Sequence, residues 1–260
     1  MSIEQITSTQ NPRIKNIVKL QKTRERREQG LFIIEGAREI GLAVQAGYSI
    51  ESLFVCPELH PNPLMVESKQ VYYITLPVFS KVAYREHSDG LIALAAMRAF
   101  SLLDISFKKI PLVIVLESVE KPGNLGAVLR TADAAAVDAV IICDPHTDIF
   151  NPNVIRSSIG CLFTNTVVTC SNEDALSFFT ENNITVFATC FENSVNYHEC
   201  DFNVPAALIF GTESAGLTPF WIKHAARRIR IPMQGKIDSL NVSNAAAITI
   251  FEVKRQRNFC

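Results

Sequence analysis

The sequence predicts an α/β protein whose C-terminal part is a parallel sheet covered by helices, preceded by a smaller α/β domain. Three observations carry that reading. From Pro111 onward the runs PLVIVLE, DAVIIC, TVVTC, ITVFATC, PAALIF and RRIRI are near-continuously apolar or β-branched, as strands buried on both faces must be. Helix-like segments separate those runs, the pattern of a layered α/β architecture. The length of 260 residues exceeds one typical domain and falls well short of three. The stretch AFSLLDISFKK breaks the alternation just ahead of Pro111, so the expected layout is a first domain over 1–98, a linker over 99–110 and a second domain over 111–260.

In the first domain, PRIKNIVKLQKTRERR sets Ile14, Ile17, Val18 and Leu20 near helical spacing and fills the other faces with Lys and Arg. One basic amphipathic helix from Pro12 to about Arg27 is expected. Its cations either solvate a surface or meet phosphates. The runs LFII, SLFVC, VYYIT and GLIALAA read as strands, and AREIGLAVQAG as a helix closed by Gly47. In the second domain, Ser171-Asn-Glu-Asp174 ahead of ALSFF is a capping-box-like helix start. VSNAAAITIFEVKRQR is a helix with a basic exit.

Composition excludes several classes. The chain is 48% hydrophobic and 20% charged with a formal net charge of −1, so global charge singles out no partner. Its seven cysteines form an odd set without CxxC spacing, several of them inside apolar runs. Reduced buried thiols in a cytoplasmic protein are expected, with no metal site. The start MSIEQITSTQNPRIKN lacks a signal peptide's apolar core, and no apolar run approaches the roughly 20 residues that span a bilayer. The acceptor-like triplets at Asn183 and Asn241 have meaning only in a secreted chain.

In a parallel α/β sheet, ligands gather beyond the carboxyl ends of the strands. The loop after PLVIVLE, SVEKPGNLGAVLRTA, turns tightly at Pro122–Gly126 and sets Asn124 near a helix start with Arg130 six residues on. The two either face one cleft or serve as a helix cap and an ion-pair partner. GxGxxG spacing is absent, which argues against a dinucleotide-binding dehydrogenase. The loop after PAALIF, Gly211–Leu217, holds one carboxylate, Glu213, in a glycine-flanked turn; Glu213 is either a site residue or a helix N-terminal charge. The loop after RRIRI crowds Ser239, Asn241, Ser243 and Asn244 before an Ala-rich helix. N-capping accounts for one or two of those four polar groups.

Together the three loops resemble, in order and spacing, the three motifs of the SpoU (TrmH) family of RNA ribose methyltransferases. Asn124-Leu-Gly126-Ala-Val-Leu-Arg130-Thr131 resembles the first, Phe210-Gly211-Thr-Glu213-Ser-Ala-Gly216-Leu217 the second, and Ile231-Pro232-Met233-Gln-Gly235 through Ser239-Leu240-Asn241-Val242-Ser243 the third. Ile34-Glu35-Gly36-Ala-Arg38-Glu39 and Glu86-His87-Ser88-Asp89-Gly90-Leu-Ile-Ala93 are similar to that family's substrate-binding domain, itself similar to a small ribosomal-protein fold. Lys121, where many relatives carry an acid, and Asn244, where many carry an apolar residue, depart from the pattern.

The resemblance implies a trefoil knot in the C-terminal domain, S-adenosylmethionine held in the knot, a homodimer with both knots near the interface, and methylation of a ribose 2′-hydroxyl in RNA. Ribosomal RNA is the first expectation and transfer RNA the second. It further implies that Thr189, Gly211, Ile231, Met233 and Leu240 hold the cofactor, largely through backbone. Arg130 stands at the reacting ribose by the same resemblance, with Asn124, Glu213, Ser239 and Asn241 positioning it, the ribose or the cofactor. None of the five histidines (60, 87, 146, 198 and 224) falls in the motifs. Free Arg is effectively always protonated, so the expected role of Arg130 is to stabilise a developing alkoxide and clamp a phosphate. RNA capture is expected from Arg13, Lys15, Arg24, Arg26, Arg27 and Arg38. A non-catalytic RNA-binding protein, or a methyltransferase for small molecules or proteins on the same scaffold, are the alternatives.

Overall fold

The structure, a computed structural model, describes residues 4–61, 66–85 and 87–259. Glu86 and Cys260 lie outside them. The chain falls into two compact units, the first comprising residues up to Arg98 together with Asp148–Thr164, the second Ala99–Thr147 and the residues from Asn165 on.

The first unit runs β1 (Glu4–Ile6), α1 (Pro12–Lys19), α2 (Thr23–Gln29), β2 (Leu31–Glu35), α3 (Ala37–Gln45), β3 (Ile50–Val55), β4 (Val71–Ile74), α4 (Leu76–Val82) and β5 (Leu91–Ala96). Its five strands form a mixed sheet in the order β1-β4-β3-β5-β2, with β5 antiparallel to both neighbours. Asn11 caps α1 by accepting from the Arg13 amide at 2.9 Å, and Pro12 opens the first turn, where its missing N–H costs nothing. Ile14, Ile17 and Leu20 bury the apolar stripe among Ile33, Phe54, Phe79 and Ile92.

The single basic helix expected from Pro12 to Arg27 is two helices, broken between Leu20 and Lys22. The break has a polar cause. From α2 the Arg26 guanidinium turns back and donates to the carbonyls of Leu20 and Gln21 at 2.8 Å each, satisfying acceptors left open at the end of α1.

The second unit begins with β6 (Leu112–Glu117), α5 (Pro122–Ala134) and β7 (Ala139–Cys143). The chain then carries α6 (Pro152–Ser157) into the first unit and returns with β8 (Val167–Cys170), α7 (Asn172–Glu181), β9 (Thr185–Thr189), β10 (Val195–Asn196), β11 (Ala206–Phe210), α8 (Pro219–His224), β12 (Arg227–Arg230) and α9 (Val242–Gln256). All seven strands are parallel, in the order β10-β12-β9-β11-β6-β7-β8. Every residue of β6, β7 and β11 is buried, in keeping with runs that are apolar but for Glu117 at the end of β6. Ser171 caps α7 by accepting from the Asp174 amide. Cys56, Cys143 and Cys161 are buried free thiols.

Residues 99–110, expected to be a linker, pack on the second unit. Phe100 makes a β-bridge to Val168, and Phe107 meets Phe178 at 5.6 Å between ring centroids. Phe100, Leu102, Ile105 and Phe107 therefore cover a core flank. The excursion Asp148–Thr164 was expected within the second domain, yet its apolar anchors bind the first unit. Phe150 lies 4.5 Å from Phe32, and Phe163 5.2 Å from Tyr48. A Cβ on Gly160 (φ +85°) would come within 2.8 Å of Leu42 Cδ1.

Arg26 cannot bind RNA, contrary to the expectation. Its side chain is fully buried and pairs with Asp148 at 2.6 Å, itself only 5% exposed. Removing one partner of a buried pair strands the other charge, so Arg26→Ala is expected to destabilise the protein by about 3–5 kcal/mol. Urea unfolding checks this: a change under about 1 kcal/mol, the value of an exposed pair, would contradict it.

Candidate functional site

The loops that follow β6, β11 and β12 meet beyond the carboxyl ends of the sheet, joined by the residues after β9. A cavity of about 350 Å³ opens there. Thr189, Gly211, Ile231, Met233 and Leu240, the five residues expected to hold a cofactor, all line it, as do Glu213 and Ser239. Sequence order alone would scatter them. The insertion of β11 between β9 and β6 brings them together.

The wall at residues 211–217 is a closed turn. Thr212 and Gly216 exchange backbone hydrogen bonds, each 3.0 Å, and the Thr212 hydroxyl accepts from the Ala215 amide at 3.1 Å. Gly216 takes φ +71°, a conformation glycine adopts without penalty. The Thr189 hydroxyl donates to the Ile209 carbonyl at 2.9 Å, fixing the neighbouring wall to β11. Behind the turn, the buried Glu117 carboxylate accepts from the amide and hydroxyl of Thr218, at 2.8 and 2.6 Å, and from Asn172 at 2.9 Å. Asn172 in turn accepts from the Trp221 indole N–H at 2.6 Å. This network anchors the end of the turn to β6 and α7.

At the rim a second set of bonds joins all three motifs. Asn124, in the first turn of α5, donates to Glu213 Oε1 at 2.7 Å. Asn241, which caps α9, donates to Asn124 Oδ1 at 3.1 Å and to Glu213 Oε1. Lys121 pairs with the other carboxylate oxygen. Asn241 also accepts from the amide and hydroxyl of Ser243, at 2.9 and 2.6 Å. Capping and the bonds between motifs thus coincide in one residue.

The Lys121 ammonium, with help from Asn124, holds the Glu213 carboxyl below the usual carboxylate range. A depressed value means that the carboxylate favours the folded site above its ordinary titration near 4.5, a contribution lost only as pH falls through the lowered value. Lys121→Met should move the Glu213 titration upward, followed by NMR of the side-chain carboxyl carbon. An unchanged titration would mean that Lys121 exerts no field on the site. Sequence reading noted Lys121 only as a departure from a pattern; its charge next to Glu213 was not legible from spacing.

Two candidates stand apart from this cluster. Ser239 lines the cavity but bonds to Asp238 at 3.1 Å. Arg130 is exposed and lines neither this cavity nor the adjoining one of about 70 Å³ beside Asn124. Expected to face one cleft with Asn124, it lies six residues on, about 120° away around α5 at 3.6 residues per turn. Among the cations expected to capture RNA, Lys15, Arg27 and Arg38 are exposed. Arg24 is exposed and pairs with Glu28 at 2.6 Å, and Arg13 lies 4.7 Å from the Tyr72 ring and 3.5 Å from Glu4.

The profile of the SpoU rRNA methylase family matches residues 111–251, and that of the MRM3-like substrate-binding domain matches residues 11–93. The chain is 29% identical over 252 residues to the 23S rRNA (guanosine(2553)-2′-O)-methyltransferase RlmP of Bacillus subtilis, covering 97% of this chain and 100% of that one. A crystal structure of an RNA 2′-O ribose methyltransferase superposes with a TM-score of 0.85 at 38% identity, covering 98% of this chain and 99% of that one. An AdoMet-bound rRNA methyltransferase from Sinorhizobium meliloti superposes with a TM-score of 0.89 at 29% identity, covering 97% and 98%. With two of its motifs lining one cavity, the third bonded to them through Asn124, and a family profile spanning more than half its length, the chain belongs to the SpoU rRNA methylase family.

Proposed function

We propose that the protein is an S-adenosylmethionine-dependent methyltransferase that methylates a ribose 2′-hydroxyl in ribosomal RNA. The observation that carries this reading is the meeting of two motif loops at one cavity, with the third motif tied to its rim through the Asn124–Glu213–Asn241 network. The cavity fits the cofactor. Its volume of about 350 Å³ lies within the range of small-molecule sites, and Gly211 leaves backbone where any side chain would intrude. Thr189, Gly211, Ile231, Met233 and Leu240 hold the cofactor there, which supplies a methyl group activated by its sulfonium.

The chain's own task is to orient the hydroxyl and stabilise the charge that develops as its proton leaves. Asn124, Glu213, Ser239 and Asn241 shape the rim where the ribose docks. Arg130 stabilises the alkoxide and clamps the neighbouring phosphate, a planar fork suited to both, while that phosphate or a water takes the hydroxyl proton. Since Arg130 lies outside its own chain's cavity, it acts in a homodimer on the cavity of the other copy. The packed pair α5 and α9 supports such a dimer: α9 exposes Ile248 and Phe251 one turn apart, 37% and 42% accessible. The strand order β12-β9-β11-β6 supports a trefoil knot around the cavity. The first unit captures RNA through Arg13, Lys15, Arg24, Arg27 and Arg38, and affinity falls steeply with salt. No helix among the described residues is long and apolar enough to cross a membrane, in keeping with action on RNA in the cytoplasm.

Incubation with radiolabelled S-adenosylmethionine and, separately, ribosomal RNA, transfer RNA or a protein extract tests the reading. Label in the ribose of ribosomal RNA is expected. Label in transfer RNA alone would replace the substrate, label in protein would replace the class, and no label would leave a non-catalytic RNA-binding protein.

A further inference from the structure

Away from the cavity, the first unit carries an aromatic and cationic surface that the proposed chemistry does not use. Tyr84 is 46% accessible, large for an aromatic residue, and the Arg156 guanidinium lies 5.5 Å from its ring centroid. Both are held from beneath. The amides of Tyr84 and Arg85 donate to the buried Glu35 carboxylate at 2.7 and 3.3 Å, which pins the backbone after α4. Arg156 projects from α6, which Asn151 caps and which buries Val154 and Ile155. Between them Tyr84, Arg85, Ile155 and Arg156 wall a shallow concavity.

The charges there are unequally committed. Arg85 pairs with the nearly buried Glu39, whereas Arg156 has no carboxylate partner among the described residues. A ring beside a guanidinium that no described carboxylate pairs offers a π-surface and a single phosphate donor side by side. Unpaired bases stack on aromatic rings and guanidinium planes, and a flanking phosphate completes the contact. Recognition of a phosphorylated or acidic peptide would instead call for a cluster of arginines.

We propose that Tyr84 and Arg156 form a nucleotide-gripping platform, on which an unpaired base of the RNA substrate stacks while Arg156 takes the adjacent phosphate. The platform rests on the reading of the protein as an RNA methyltransferase. It draws one of its two side chains from the excursion between β7 and β8, so a segment placed in sequence among the methyltransferase strands serves RNA recognition.

Fluorescence anisotropy on the full chain tests it, with a labelled 12-nucleotide single-stranded RNA of mixed sequence and the duplex of the same sequence. Tyr84→Ala is expected to weaken single-strand binding about tenfold and duplex binding much less, with Tyr84→Phe near wild type. Arg156→Ala should weaken binding and reduce the slope of log affinity against log salt by about 0.7. Circular dichroism and urea unfolding of each variant, matched to wild type, verify folding of the first unit. Single-strand binding by Tyr84→Ala equal to wild type, equal losses on single strand and duplex, or failure of Tyr84→Phe to restore binding would each overturn the platform while wild-type methylation of ribosomal RNA stood. A wild-type protein that neither bound nor methylated RNA would remove the underlying reading as well.

Discussion

Gly211→Ala is expected to abolish binding of S-adenosylmethionine, weakening it by about 100-fold or more, the equivalent of about 2.7 kcal/mol or more. The cause is steric and local. A Cβ at Gly211 would stand 2.2 Å from both the carbonyl carbon and oxygen of Gly216 and 2.4 Å from the Leu217 nitrogen. All three are backbone atoms of the turn that forms the cavity wall, so no flexible side chain can move aside. The turn is also closed at both ends, by the reciprocal Thr212–Gly216 bonds and by the grip of Glu117 on Thr218. Relief therefore requires the wall to open, which withdraws Glu213 from Asn124 and Asn241. Gly235→Ala is the matched control: it lies in the third motif, and a Cβ there meets nothing within 4 Å. Calorimetry should show near-normal cofactor affinity for Gly235→Ala and none measurable for Gly211→Ala. Retained affinity in the latter would show that the turn plays no part in binding.

The steric need at Gly211 marks where sequence reading succeeds and where it stops. The buried strands were legible because a sheet covered on both faces leaves few polar positions, and β6, β7 and β11 are apolar but for Glu117, which Thr218 and Asn172 satisfy. The three loops were legible because their small and polar residues interrupt those runs at strand ends. Short edge elements were not. In β1 only Ile6 is buried, and β10 spans two residues, too few to establish a period. Residues whose role depends on a distant partner were hidden as well. Arg26 looks like its basic neighbours until Asp148, 122 positions later, neutralises it. The excursion of Asp148–Thr164 was hidden because Phe150 and Phe163 are equally suited to either core, and only the rings of Phe32 and Tyr48 decide between them.

Arg130→Ala is expected to lower the methyl-transfer rate by about 10²–10³-fold, the scale on which a charge-stabilising donor contributes to a transition state, with cofactor affinity unchanged. Cofactor affinity should hold because Arg130 lines no part of its own chain's cavity. Arg130→Lys should not restore the rate, since an ammonium keeps the charge but loses the planar pair of donors that can meet alkoxide and phosphate together. The exposed position of Arg130 on α5, beside a helix with an uncovered apolar face, makes a further outcome expected on mixing. A hybrid of an Arg130→Ala subunit and a Gly211→Ala subunit keeps one intact cavity, in the former, and one intact guanidinium, in the latter. If Arg130 acts across a twofold interface, that hybrid has one working site of two. Random exchange of equal amounts would then restore about a quarter of wild-type activity from two inactive preparations. If Arg130 acts within its own chain, the hybrid has no working site and mixing restores nothing. Native mass spectrometry would establish that subunits had exchanged. Absence of recovery in an exchanged sample, or full activity in Arg130→Lys, would remove the guanidinium from the role proposed for it.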